Sequence, residues 1–486
     1  MNLISITNLK LYFGERLILD IPDFKIYKGD KIGIVGANGA GKSTLLNVLN
    51  GDLNSNTGTI KVNASISYYK QFHDDGIPDS ISSNCMKEAK RFKVNFYDSN
   101  LYSGGEKNRL RLAKVFSDDS DLYFFDEPTS NLDYQGILLL KHELSRINSF
   151  LLVSHDRLLL NECCNKIIEI FDSKLSIYEG NYDAYMLQRD MEYKRALSEY
   201  EKYEKEKKRL LSVYQDKLIK AQKIAKKPKD RGQRIGKECG TKSFSSKAKN
   251  MQKSALAVRK KADMLEVKSK PKELPRLKID FRLTNPPRNK YIIEINDLSF
   301  GYDSHIIFEN INMRVKNGEK IAILGDNGVG KTTLLNLIVE DYSAIRRVPA
   351  VKYGYFSQGF EQLDFSKTVL ENAMRDSVQN ICIVRTMLAR LLFPESSLAK
   401  CVRLLSGGEC IRLALAKLIV SDANVLILDE PTNYLDLTSR EAIEKVLQEY
   451  IGTIIFASHD ITFVDAIATQ KFLIKDKSIA EIEEIV

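Results

Sequence analysis

Lys42 and Lys331 each sit near the end of the same eight-residue pattern, Gly36-Ala37-Asn38-Gly39-Ala40-Gly41-Lys42-Ser43 and Gly325-Asp326-Asn327-Gly328-Val329-Gly330-Lys331-Thr332. Both fit G-x-x-x-x-G-K-[ST], and the chemistry that spacing serves is phosphate binding. Glycines let backbone N–H groups come close to phosphate oxygens, the lysine neutralises charge, and the hydroxyl of Ser43 or Thr332 can ligate magnesium. The candidate ATP contacts are therefore Gly36, Asn38, Gly39, Gly41, Lys42, Ser43 and Thr44 in one loop, and Gly325, Asn327, Gly328, Gly330, Lys331, Thr332 and Thr333 in the other. Each loop is followed, in the same order, by Ser-Gly-Gly-Glu, Asp-Glu-Pro-Thr and Ser-His-Asp. A single glycine-rich loop also arises in plain turns; four motifs in fixed order, twice, do not arise by chance.

The acids have distinct expected roles. Asp126 and Asp429 are placed to hold the magnesium shell, and Glu127 and Glu430 to orient and polarise an attacking water. A proton acceptor so placed typically contributes about 10²- to 10⁴-fold in rate. Gln71, after Ile66-Ser67-Tyr68-Tyr69, and Gln358, after Tyr353-Gly354-Tyr355-Phe356-Ser357, end short strands within reach of the metal or the water. His155 and His459 lie in Ser-His-Asp after apolar strands. No nucleophile elbow accompanies them, so a γ-phosphate contact fits and a hydrolytic triad does not.

These groups need elements to hold them. Ile32-Gly33-Ile34-Val35 and Ile321-Ala322-Ile323-Leu324 are apolar runs ending in glycine, as expected of a buried parallel strand feeding a phosphate loop and then a helix over Thr44 to Leu49 or Thr333 to Ile338. Asp121 to Asp126 and Asn424 to Asp429 read as second buried strands, each with an acid at its carboxyl end, where an open α/β sheet places its ligand. The two phosphate loops are offset by a constant 289 residues, so duplication of a whole domain is the simplest explanation.

The 486-residue chain can hold two to four domains, and its 43% hydrophobic and 28% charged content is ordinary for a globular protein. Seven cysteines without C-x-x-C spacing suggest neither a zinc site nor a disulfide framework, which fits a reducing cytoplasm. No apolar run is long enough to cross a bilayer and the N-terminus lacks signal-peptide character, so ATP would not drive translocation through this polypeptide. The net charge of +9 is unevenly spread. Residues 189 to 290 hold 32 Lys/Arg against 13 Asp/Glu, a net of +19, which leaves 9 − 19 = −10 for the rest. The insert is the polyanion-seeking part.

Within it, Leu197, Tyr200, Leu211, Tyr214 and Leu218, and then Met251, Ala255, Val258, Ala262 and Leu265, recur at helical spacings. They predict two long helices paired as an antiparallel hairpin. Between them, Lys226 through Gly236, Gly240 and Ser245-Ser246 read as a basic loop. Residues 217 to 261 carry 16 Lys/Arg and two acids, a composition suited to RNA phosphates, and Arg231, Arg234, Lys242 and Phe244 are the tip candidates. The expected division is 1–182 for the first ATPase domain, 183–290 for the linker with its tip near 226–246, and 291–486 for the second domain.

The motif set resembles the ABC ATPase family over nearly all of both modules. Leu101-Tyr102-Ser103-Gly104-Gly105-Glu106 and Leu404-Leu405-Ser406-Gly407-Gly408-Glu409 match its signature sequence. In that family the signature completes the ATP site of the opposite module. The resemblance implies two composite sites: Lys42, Asp126 and Glu127 facing Ser406, Gly407 and Gly408, and Lys331, Asp429 and Glu430 facing Ser103, Gly104 and Gly105. Phe13 and Tyr302 match the aromatic that stacks on adenine, while Cys410, where the first copy has Lys107, departs from the pattern.

A tandem pair without membrane spans, joined by a basic helical hairpin, is similar to the ABC-F group, which acts on the ribosome. Only 32 positions separate Gln71 from Ser103, against 48 between Gln358 and Ser406, so the first module has no room for the arm insertion of several housekeeping members. The chain also ends at Val486 without the C-terminal coiled coil of others. The short form is similar to the Vga, Lsa and Msr type that protects ribosomes from antibiotics. That likeness implies a cytoplasmic monomer whose modules pair around ATP and Mg2+. It further implies binding at the ribosomal exit site, with the hairpin tip near 23S rRNA and the P-site tRNA, drug displacement, and release on hydrolysis. Two alternatives stay open: a housekeeping translation factor, and the ATPase subunit of a membrane importer, which accounts for the modules but not for a +19 insert.

Overall fold

Five short apolar strands form the parallel core of each module; the central ones, Leu122–Asp126 and Phe150–Val153 in the first and Val425–Asp429 and Thr453–Ala457 in the second, are buried at every position and have no polar face to alternate with. In the first module Lys31–Val35 runs parallel to both Phe150–Val153 and Lys166–Phe171. Leu122–Asp126 lies beyond Phe150–Val153, and Ile66–Tyr69 beyond that. The second module repeats the order: Lys320–Leu324 between Thr453–Ala457 and Gln470–Lys475, then Val425–Asp429, then Tyr353–Phe356. The computed structural model describes residues 1–70, 83–94, 104–129, 132, 134–225, 239–268, 280–302, 305–326, 328–340, 342–357 and 359–483.

An antiparallel layer covers the helix that leaves each phosphate loop. Asn2–Phe13 pairs with Arg16–Tyr27 and Thr57–Val62 in the first module, and Tyr291–Tyr302 pairs with His305–Lys316 and Ile345–Arg347 in the second. Between layer and parallel sheet lies an aliphatic core, including Leu9, Leu45, Leu46 and Val153 in one module and Leu298, Leu334, Leu335 and Ala457 in the other. These packed faces fix the phosphate loops against the carboxyl ends of the parallel strands.

The helices after the loops are Lys42–Leu49 and Lys331–Val339, so each begins two residues before the sequence expectation. The lysine and hydroxyl residues belong to the first helical turn, where unpaired N–H groups gather.

By contact density the chain divides into Met1–Tyr185 with Leu274–Val486, and Met186–Glu273. The smaller unit is an antiparallel helix pair, built from Tyr182–Ala225 and Cys239–Asp263. Lys217 Nζ donates to Ser254 Oγ at 2.7 Å, the Arg259 guanidinium lies 5.7 Å from the Tyr214 ring centre, and Lys268 pairs with Glu199 at 3.8 Å. Ala221, Ala255 and Ala262 are buried along the seam, whereas Leu211, expected there, is exposed.

The loop expectation also needs correction, because the second helix starts at Cys239 and includes Gly240 and Ser245-Ser246. One glycine costs a helix interior only about 1 kcal/mol relative to alanine, and no proline follows before Pro271 to stop it. Arg231 and Arg234 lie outside the described residues, as do the side chains of Lys242 and Phe244. No helix among the described residues is long and apolar enough to cross a membrane.

Candidate functional site

Each phosphate loop closes on a left-handed glycine, with φ of 102° at Gly41 and 104° at Gly330. A Cβ there would also press on Ile18 or Ile307, so backbone conformation and space both demand glycine. The buried lysines donate to the loop carbonyls. Lys42 Nζ donates to Gly36 O at 2.8 Å and Ala37 O at 3.2 Å, and Lys331 Nζ to Gly325 O at 2.9 Å and Asp326 O at 3.0 Å. Burial lowers the Lys42 pKa against the pull of Glu127, Asp436 and Asp126. Phosphate oxygens fit these ammonium groups better than loop carbonyls do.

The strand acids meet the loop hydroxyls. Thr332 Oγ1 donates to Asp429 Oδ2 at 2.8 Å, and Ser43 hydrogen-bonds Asp126 in the other copy. The remaining oxygens, Asp126 Oδ1 and Asp429 Oδ1, are buried without a hydrogen-bond donor. Burial raises the pKa of both carboxyls. A hydroxyl beside one carboxylate with a spare oxygen fits magnesium, which takes one or two protein carboxylates and completes its shell with phosphate and water. Among the described residues no cluster of three or more His, Cys, Asp or Glu offers a dedicated metal cage.

Glu127 and Glu430 follow at once, held at φ of 50° and 49°, a conformation uncommon for a non-glycine residue. Their amides continue the sheet, Glu127 N donating to Val153 O and Glu430 N to Ala457 O. His155 Nε2 lies 3.2 Å from Glu127 Oε1, and His459 Nε2 3.3 Å from Glu430 Oε1. Neither contact has hydrogen-bond alignment, so both Oε1 atoms are buried without a donor. Burial raises each glutamate to about 7, opposed mainly by the loop lysine. Burial also pushes His155 well below the ordinary histidine range, so it is neutral. Buried carboxylates with a spare oxygen beside a strained turn can take a proton from water.

The other two members of Ser-His-Asp are structural. Asp156 caps helix Arg157–Cys163 by accepting from Leu159 N, and Ser154 Oγ accepts from Asp156 N; Asp460 and Ser458 repeat this before Ile461–Ile467. That accounts for the motif without a nucleophilic triad.

The sequence candidates are not all brought together. Phe13 and Tyr302 are more than half exposed at the ends of their strands, open to a planar ring. Ser406 forms a capping box with Glu409 at the start of Gly407–Val420, while Cys410 belongs to the core. Gly104 and Gly105 open helix Gly104–Ser117. Gln71, Ser103, Asn327 and Gln358 lie outside the described residues.

The two modules touch at the first loop through a residue the motif reading missed. Asp436 Oδ2 accepts from Asn38 N at 3.0 Å, and Tyr434 O accepts from Asn38 Nδ2 at 3.4 Å. Asp436 Oδ1 also caps Ser439 N, and Arg412 of the signature helix donates to Ser439 Oγ at 3.0 Å. Thus the signature helix of one module is tied to the phosphate loop of the other. Leu-Asp recurs at the same distance after Asp-Glu-Pro-Thr in both copies, Leu132-Asp133 and Leu435-Asp436, and that repeat is the signal that could have found it.

The family model described as ABC transporter matches residues 19–130 and 308–433. The chain is 31% identical over 487 residues to "Ribosome protection protein VmlR" of Bacillus subtilis (strain 168), covering 98% of this chain and 87% of that protein. It is 32% identical over 481 residues to "Erythromycin resistance ATP-binding protein MsrA" of Staphylococcus epidermidis, covering 96% of each. The chain belongs to the ABC-F family of ATPases. A solved structure of "RNase-L Inhibitor" shares the fold at a TM-score of 0.64 and 19% identity, covering 96% of this ABC-F chain and 87% of that one.

Proposed function

We propose that this ABC-F ATPase works in the cytoplasm, binds the ribosome at its vacant exit site, and protects it from drugs at the peptidyl-transferase centre or exit tunnel by displacing them. The observation that carries the reading is the basic helix pair Tyr182–Ala225 and Cys239–Asp263 set in the chain between two ATPase modules. Its excess of Lys/Arg suits ribosomal RNA, and the names of two relatives, one for ribosome protection and one for erythromycin resistance, support the protective role.

In the proposed cycle, each ATP binds one phosphate loop, with Phe13 or Tyr302 against the adenine and Lys42 or Lys331 on the phosphates. Ser43 with Asp126, and Thr332 with Asp429, would hold magnesium, which when bound neutralises charge on the phosphate oxygens. Ser406 to Gly408 complete the first site and Ser103 to Gly105 the second. The paired form presents the hairpin to 23S rRNA and the P-site tRNA. Glu127 and Glu430 orient water toward the γ-phosphorus and accept its proton as the bond to the ADP oxygen breaks, while His155 and His459 steady the γ-phosphate. Product formation lets the modules part and the protein leave.

Deleting Gly232 to Phe244 tests the protective reading against the plain translation-factor one. The segment is poor in apolar residues, so its loss should spare the ATPase modules. Each helical residue adds about 1.5 Å of reach, so shortening it should stop the tip from arriving. Expression and ATP-dependent ribosome binding should persist, and protection against lincosamide, pleuromutilin, streptogramin A or macrolide drugs, whichever the intact protein confers, should vanish. Full protection in the deletion, or none from the intact protein, would return it to a housekeeping role.

A further inference from the structure

Arg440 occupies a position where the two modules meet and where they differ. It follows Asp436 by one helical turn in Leu437–Glu449 of the second module. Its Nη1 donates to the carbonyl oxygen of His155 in the first module at 2.9 Å and to Asp460 Oδ2 in its own module at 3.1 Å. A third bond, from Nε to Leu435 O at 3.2 Å, fixes the side chain to the turn that carries Asp436. The side chain is only 17% exposed, so these bonds compete little with water. One residue therefore clamps the loop bearing His155 to the residue that follows His459.

The duplication provides an internal control. Counting from Asp-Glu-Pro-Thr, the partner of Arg440 in the first module is Ile137. Ile137 is buried and lines a small cavity with Asp156, His459 and Asp460. An isoleucine has no donor to offer the His459 loop. The bond that Arg440 makes to the first site's histidine loop therefore cannot be repeated from the matching position, Ile137, at the second.

We propose that Arg440 is a positioning residue supplied in trans to the first ATP site, and that the exchange of arginine for isoleucine makes the two sites unequal. It holds the His155 backbone in register with Glu127 only while the modules are paired, so turnover at the first site depends on the second module, whereas in its own module it meets Asp460, which the cap of helix Ile461–Ile467 already holds. This rests on the two-site reading above.

The test measures steady-state ATP turnover in two backgrounds, Glu430→Gln, which leaves the first site active, and Glu127→Gln, which leaves the second. Arg440→Ala in the first background should lower kcat about tenfold, the worth of one charge-assisted hydrogen bond realised in the transition state, with a smaller change in KM. In the second background it should change kcat less than about twofold. Arg440→Lys, able to keep one bond but not the bridge, should give a smaller loss confined to the same site, and carries the comparison if the alanine variant does not fold. Equal loss at both sites, or no loss at the first, overturns the proposal. If either Glu→Gln change alone silences both sites, or neither lowers turnover, the two-site reading falls and the inference with it.

Discussion

The Asp436 carboxylate accepts a hydrogen bond of 3.0 Å from the backbone amide of Asn38, inside the first phosphate loop and 398 residues away in sequence. Its other oxygen caps Ser439. Burial alone would raise this carboxyl, but the bonds from Ser439 and the Asn38 amide hold its pKa below the ordinary value. Ionised Asp436 is therefore both a helix cap and a contact between modules.

Asp436→Asn separates those two roles. Asparagine caps as well as aspartate, but its single carbonyl oxygen cannot serve Ser439 and Asn38 together, and its amide would face the Asn38 N–H donor to donor. Thermal stability should stay within about 1 kcal/mol of wild type, while ATP turnover falls about tenfold, as expected for one lost charged hydrogen bond. Wild-type turnover in this variant would show that the contact plays no part in the cycle.

How much of this was legible in the sequence follows from locality. Lys42, Ser43, Asp126 and Glu127 stood out because each site's own groups sit on short strands and loops with strong local patterns. So did the α/β class, since runs such as Leu122–Asp126 are apolar throughout and end in an acid. The end of the tip loop is not legible, because Gly240 and Ser245 look like breakers but cost a helix little. The Asn38–Asp436 bond was not visible, because nothing local tells an aspartate that caps its own helix from one that also reaches another module. Arg440 was less visible still: it is a difference between the repeats, and reading by repeated motifs discards differences.

A second prediction concerns pH. Burial raises Asp156 to about 6, with the Asp460 carboxylate adding to the effect. Its unfolded value is about 4, so the folded state binds the extra proton. Asp156 therefore contributes stability below pH about 4 that is lost as pH rises through about 6. Asp156→Asn keeps an oxygen for the Leu159 amide and cannot ionise. It should be more stable than wild type at pH 8 by about 3 kcal/mol, with the difference closing near pH 4. Denaturant midpoints across that range check this, and a pH-independent difference would contradict it.

The basic insert makes a prediction about salt. Each phosphate contact contributes roughly 0.7 to 0.9 to the slope of log affinity against log salt. Replacing Lys223, Lys226, Lys227 and Lys229 by Gln should flatten the slope for ribosome binding by up to about 3 while ATPase activity without ribosomes stays near normal. An unchanged slope would move the RNA contact to another surface.

The central claim, that ATP-dependent ribosome binding displaces drug, is tested most directly by measuring radiolabelled lincosamide, pleuromutilin, streptogramin A and macrolide retained on purified ribosomes as the protein is added. The Glu127→Gln, Glu430→Gln double variant, which should bind ATP without turnover, is used beside wild type. With ATP at least one drug class should be released by both proteins, ADP in place of ATP should prevent release, and the double variant should remain on the emptied ribosomes. Retention of all four drug classes by ribosomes to which the ATP-loaded double variant is bound would contradict that claim.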